Sequence, residues 1–235
     1  MVYTASVERD GDFYVTPLTD NCRILMETGG HALLGVSHGN SYFSRGRLSK
    51  LFAWALRRFD AVDVVAADSH VIQIFRAIGY DEERARKRTH KETSVLRNRI
   101  KDAAAQCGAD RSRLTLRGLS DFMDDPAYHA VRARTQKALC DRPEFREAAR
   151  AMTRAVLESR LGAGNAREDQ IDTAFSYLQA ELPFFHDAPR ILGVESTVSC
   201  YHLRLPLLDF ICGPHAVVPV VPTQGFAVVR PAGHG

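Results

Sequence analysis

Paired cysteines, a membrane-length apolar run and a strong net charge are all missing from this chain of 235 residues, and no leader segment is expected. The five cysteines, Cys22, Cys107, Cys140, Cys200 and Cys212, are odd in number, scattered, and form no C-x-x-C. That pattern argues against a disulfide framework or a zinc site and suits reduced thiols in a cytoplasmic protein. No metal is expected. The first residues, MVYTASVERDGDF, are polar and acidic where a signal peptide would be basic and then apolar. No apolar stretch reaches the roughly 20 residues that span a bilayer, so no membrane partner is expected. The formal net charge is only +3, so affinity for nucleic acid would have to come from local clustering. What remains is ordinary globular composition, 45% hydrophobic and 25% charged, in a length suited to one α/β domain.

Apolar periodicity divides the chain into alternating elements. Residues 31–36 and 62–67 are short apolar runs that fit buried strands, and 113–117 fits a third. Helical spacing marks 47–59, a short helix ending near Gly79, and a long charged helix from Asp81 to Gly108. Further helices are expected near 127–139, 143–160 and 168–181, the second opening on Pro143. The C-terminal third reads as strands at 191–203, 216–221 and 226–230, with Pro214, Pro219 and Pro222 breaking them or placing them at an edge. The polar segment 1–30 has room for little more than one irregular strand. The expected architecture is a single Rossmann-like α/β domain over 31–235, a mostly parallel sheet with helices on both faces.

Four features stand out against this frame. The first is Gly35-Val36-Ser37-His38-Gly39, a G-x-S-x-G pattern directly after the first core strand. It can be a nucleophile elbow, as in serine hydrolases, or an ordinary turn. A hydrolase elbow follows several strands, and here only 36 residues precede Ser37. The second is Arg84–Lys101, with eight Lys or Arg and one Glu. At about 100° per residue, Ala85, Leu96, Ile100 and Ala103 share one face, while Arg86, Lys87, Lys91, Arg97 and Lys101 cover the opposite side. Such a face is either solvated surface or a phosphate-backbone contact without base stacking. The third is Tyr177 and Glu181, four apart at the edge of an apolar helical stripe, able to grip or deprotonate an ammonium group. The fourth is Cys200-Tyr201-His202 in an expected core strand, where the tyrosine can also be plain core.

Together these residues resemble the cyclodipeptide synthases, which make cyclic dipeptides from aminoacyl-tRNAs. The resemblance runs from about His31 to Arg230 and rests on HALLGVSHGNSYFS at 31–44, YLQAE at 177–181, CYH at 200–202 and the basic helix between the first two. It implies a fold like the catalytic domain of class I tyrosyl- and tryptophanyl-tRNA synthetases. There is no K-M-S-K-S, H-I-G-H or Walker A segment, in keeping with a family that needs no ATP and no cofactor. By this resemblance Ser37 is the nucleophile that takes the first aminoacyl group from tRNA. Tyr177 and Glu181 hold its ammonium group. A second aminoacyl-tRNA would then donate its amine to form a dipeptidyl-enzyme, with Glu181 as the base for that amine. Tyr201 relays a proton as the ring closes, Asn40 positions the intermediate, and Tyr128 lies near the same pocket. Both tRNAs would be held by Arg86, Lys87, Lys91, Arg97, Arg99 and Lys101, and a monomer is expected.

The resemblance also implies two side-chain pockets. Leu33, Gly35, Val65, Leu119, Phe184 and Ser199 would line the first. Met152, Ala155, Ser159, Leu203, Arg204 and Leu205 would line the second, Arg204 there pairing a carboxylate. A serine hydrolase and a non-catalytic tRNA-binding module remain as alternatives.

Overall fold

The computed structural model describes residues 6–212 and 216–233. Its elements are β1 (Glu8–Asp10), β2 (Phe13–Pro17), α1 (Asp20–Thr28), β3 (His31–Val36), α2 (Arg45–Arg58), β4 (Ala61–Ala66), α3 (Ile72–Ala77), α4 (Glu82–Gln106), β5 (Leu114–Gly118), α5 (Pro126–Asp141), α6 (Pro143–Leu161), α7 (Glu168–Glu181), α8 (Pro183–Leu192), β6 (Thr197–Tyr201) and β7 (Gln224–Pro231). The strands form one sheet in the order β1-β2-β7-β6-β3-β4-β5. From β7 to β5 every pairing is parallel, and the β1–β2–β7 edge is antiparallel.

Burial on both faces explains the unbroken apolar runs of β3 and β4. On β3, Ala32, Leu34 and Val36 pack against α2 and α4 through Leu48, Phe52, Trp54, Leu96 and Ile100. Leu33 points the other way, into a cluster with Leu119, Tyr128 and Phe184. Local chemistry sets the helix ends. The Ser44 side chain caps α2, Asp81 caps α4 through the Arg84 amide, and Pro126 and Pro143 open α5 and α6. Gly29 closes α1 at φ 70, and a Cβ there would lie 2.8 Å from the Arg58 carbonyl oxygen, so glycine alone fits.

After β3 the chain winds through β4 and β5, then crosses to the other side of β3 to lay down β6 and β7. The winding therefore reverses between β3 and β6. In open α/β sheets, ligands bind in the crevice at the carboxyl ends of strands at such a switch point.

Three expectations need correction. Residues 1–30 are not irregular: within the described part they form a hairpin turning at Gly11 (φ 61) and the capped helix α1. The expected strand 191–203 starts only at Thr197, because Ile191 and Leu192 end α8 and Gly193 caps it at φ 70. Residues 216–221 pair with no strand; Val217 and Val218 instead donate their amides to the Phe210 carbonyl. Pro214 lies outside the described residues. Helix α8 was hidden from periodicity by Pro183 and Pro189, and it is kinked at Asp187 (φ −160, ψ 61).

Candidate active site

A cavity of about 750 Å³ opens at the switch point. Ser37 lines it, the first residue past β3. Its Oγ lies 3.3 Å from the hydroxyl of Tyr201, the last residue of β6. The Tyr201 ring lies over Gly35, where an added Cβ would sit 3.9 Å from the ring. Asn40 is fixed from several sides. Its Oδ1 accepts the Tyr42 amide at 2.9 Å, its Nδ2 lies 3.4 Å from His202 Nε2, and its side chain hydrogen-bonds Tyr201. The His202 ring stacks on Tyr42 at 4.0 Å, and burial lowers its pKa to about 4, so it is neutral. A chain of polar groups thus runs from His202 through Asn40 and Tyr201 to Ser37.

Glu181 and Tyr177 come from the last turns of α7, which packs on α3. The Tyr177 hydroxyl donates to the Glu181 carboxylate. Burial raises the Glu181 pKa to about 7, against the lowering effect of that hydrogen bond. Burial likewise raises the Tyr177 pKa well above its ordinary value, and raises that of Tyr201. Both phenols therefore keep their protons near neutrality, while Glu181 sits poised between acid and base.

His38 follows Ser37 in sequence, but its Nε2 is bonded to the Ala67 carbonyl and burial lowers its pKa. Among the described residues no histidine is hydrogen-bonded to Ser37, which removes the base a hydrolase triad needs.

Thirteen of the sequence-derived positions border the cavity: Ser37, Asn40, Tyr177, Glu181, Tyr201, Leu33, Gly35, Val65, Leu119, Met152, Ser159, Phe184 and Ser199. Leu203 and Leu205 do as well. Three do not. Ala155 is absent from the lining. Tyr128 is fully buried behind Phe184 and donates to the Ala180 carbonyl at 3.0 Å, so it braces the wall from outside. Arg204 turns to the surface and pairs with Asp209 at 2.5 Å, an i+5 carboxylate that takes the guanidinium away from the pocket.

The basic helix α4 is as polar outside and apolar inside as expected: Ala85, Leu96, Ile100 and Ala103 are buried. Its cations differ in their neighbours. Arg86 pairs with Glu82 at 3.0 Å and Lys87 with Glu83 at 2.6 Å. Arg99 is half-buried and donates to the Phe43 carbonyl at 3.2 Å. Lys91, Arg97 and Lys101 are exposed, with no carboxylate partner among the described residues. Sequence reasoning missed Arg160, which lines the cavity with Arg88 and Glu92. Arg88 donates to Glu92 at 2.8 Å, and Arg160 stands 3.8 Å from the same carboxylate. The i, i+4 spacing of Arg88 and Glu92 was visible; the approach of α6 was not.

Comparison with known proteins decides the family. A profile of the cyclodipeptide synthases matches residues 13–231. This chain belongs to that family. It is 35% identical over 224 residues to the cyclo(L-tyrosyl-L-tyrosyl) synthase of Mycobacterium tuberculosis, covering 94% of this chain and 77% of that protein. It is 34% identical over 215 residues to the cyclo(L-leucyl-L-phenylalanyl) synthase of Streptomyces noursei, covering 91% and 90%. A solved Mycobacterium tuberculosis structure, reported to demonstrate that cyclodipeptide synthetases are related to type I tRNA synthetases, superposes with a TM-score of 0.85. That pair is 34% identical, over 97% of this chain and 96% of the other. The mostly parallel sheet of this cyclodipeptide synthase is accordingly the class I synthetase type of Rossmann-like fold. No helix among the described residues is long and apolar enough to cross a membrane.

Proposed function

We propose that this synthase joins two aminoacyl groups delivered by tRNA, in a ping-pong reaction through esters on Ser37. The observation that carries this reading is the Ser37 hydroxyl facing Tyr201 at 3.3 Å, in the same cavity as a carboxylate with a pKa raised to about 7.

In the first step Ser37 Oγ attacks the aminoacyl ester. The Oγ–acyl bond forms, the ester bond to the terminal ribose breaks, and the serine proton passes to the released tRNA hydroxyl. Covalent capture divides one difficult condensation into easier steps. Tyr177 and Glu181 hold the new ammonium group. Glu181 then takes its proton, a task for which a carboxylate near pKa 7 is better matched than an ordinary one. The freed amine attacks the ester carbonyl of a second aminoacyl-tRNA; the expected attack by the second amine on the Ser37 ester would instead leave the dipeptide on tRNA. A peptide bond forms, the second tRNA leaves, and a dipeptidyl-serine remains. Its terminal amine attacks the Ser37 ester, the C–Oγ bond breaks as the ring closes, and Tyr201 relays the proton lost by that amine to Ser37 Oγ. The closure is intramolecular, so tethering supplies much of its rate.

The tRNA phosphates lie along α4. Segregated positive charge on a chain of small net charge supports this placement. Lys91, Arg97 and Lys101 carry most of the contact because no carboxylate among the described residues neutralises them. No step uses ATP, a metal or a cofactor, since the amino acids arrive already esterified.

Expression in a bacterial host and mass spectrometry of the medium test this reading. Diketopiperazines absent from the Ser37→Ala control support it. Turnover of simple activated esters, unaffected by ribonuclease and without diketopiperazine, would mean a hydrolase.

A further inference from the structure

The apolar first pocket contains one oriented polar atom, and the residue that orients it is Gln224. This glutamine is almost fully buried at the start of β7. The kink at Asp187 in α8 leaves the Ala188 amide without its helical acceptor, and Gln224 Oε1 accepts it at 2.8 Å. That contact fixes which end of the amide faces which way. Nε2 must then point to Ser199, and it donates to Ser199 Oγ at 2.9 Å. A serine whose lone pair is taken by an N–H has its own proton free to donate. No protein acceptor for that proton is found among the described residues, and Ser199 lines the cavity. Thr197, the next residue on the same face of β6, is committed to His31 Nδ1 at 2.7 Å.

The depth of this donor selects by length. Ser199 is level with Leu33, four residues below Ser37 along β3, or about 13 Å at about 3.3 Å per residue. A leucine-sized side chain esterified to Ser37 ends short of that level, whereas a para-substituted ring spans it. Leu33, Val65, Leu119 and Phe184 form the apolar walls between. A charged tip would be buried there without a partner charge, which is costly.

We infer that Ser199, positioned by Gln224, donates a hydrogen bond to the tip of the first side chain and selects tyrosine as the residue loaded on Ser37. This rests on the aminoacyl-serine reading above.

The test is competition between tyrosyl- and phenylalanyl-tRNA, then within a full aminoacyl-tRNA pool, read as the mass added to the Ser37 peptide. Tyrosine should load over phenylalanine by about tenfold or more, because phenylalanine leaves the Ser199 donor unpaired. Ser199→Ala should reduce that ratio to about twofold or less, and Ser199→Thr, which keeps the hydroxyl, should restore it. Gln224→Met, of similar volume, should lower the ratio while loading continues. Equal loading of phenylalanine, predominant loading of any other residue, or an unchanged ratio in Ser199→Ala overturns the inference alone. No adduct on Ser37 from any aminoacyl-tRNA overturns the covalent reading beneath it.

Discussion

The hydroxyls of Ser37 and Tyr201 face each other at 3.3 Å across the point where the winding of the sheet reverses. Ser37 directly follows β3 and Tyr201 ends β6, strands far apart in sequence and adjacent in space. Topology alone therefore brings the proposed nucleophile and the proposed proton carrier together, at the carboxyl ends of neighbouring strands. Removing the phenol hydroxyl should show what it does. Tyr201→Phe is expected to lower cyclic product by about a hundredfold, the scale of a lost proton-transfer group. Intact-mass measurement should find the Ser37 ester accumulating in this variant, because loading precedes the step that needs Tyr201.

Glu181 links activity to stability. Its pKa is raised from 4.5 to about 7 in the folded chain, so the folded state binds the proton more tightly than the unfolded one. The sign follows: the contribution of Glu181 to stability is fully present below about pH 4.5 and is lost as the pH rises through about 7 and the group ionises in place. Glu181→Gln removes the charge and keeps the shape. Its thermal midpoint should exceed that of the unaltered protein near pH 8 and match it near pH 4, measured by calorimetry. Cyclic product should fail or fall sharply in the same variant, because a glutamine takes no proton.

The cations of α4 divide into two classes, and charge reversal should separate them. Arg97→Glu with Lys101→Glu should weaken tRNA binding and reduce the slope of log affinity against log salt by about two. Lys87→Glu should cost less, since Glu83 already neutralises Lys87 at 2.6 Å. Filter binding across a salt series measures both. Equal effects would mean that the ion pairs open when RNA arrives.

Arg204 should be silent in product choice. Its guanidinium is held by Asp209 on the surface, a contact worth about 0–1 kcal/mol. Arg204→Leu should leave the cyclic dipeptides in the culture medium unchanged, as judged by mass spectrometry. A shift in the second residue would return Arg204 to the pocket.

The residues proposed to carry chemistry, which the structure gathers around one cavity, were easier to place from the sequence than the elements around them. Ser37, Tyr177, Glu181 and Tyr201 lie in short motifs of fixed spacing, and the 3.6-residue period placed α2, α4, α6 and α7 closely. Helix α8 was not legible because two prolines contradict its period, and only packing around the Asp187 kink makes it form. The N-terminal hairpin announced itself only through Asp10-Gly11, a weak signal beside the surrounding polar residues. Tyr128 and Arg204 could be placed near the cavity, but not on one side of a wall. That depends on partners at Ala180 and Asp209, which no spacing rule supplies. Gln224 escaped notice because its importance lies in which end of its amide meets Ala188.

The most direct test is intact-protein and peptide mass spectrometry after incubation with one cognate aminoacyl-tRNA. The account predicts a single aminoacyl addition on the peptide containing Ser37, lost in Ser37→Ala while the circular dichroism spectrum and melting midpoint stay close to those of the unaltered protein. An adduct on any other residue, or cyclic dipeptide formed by Ser37→Ala at an undiminished rate, would contradict it.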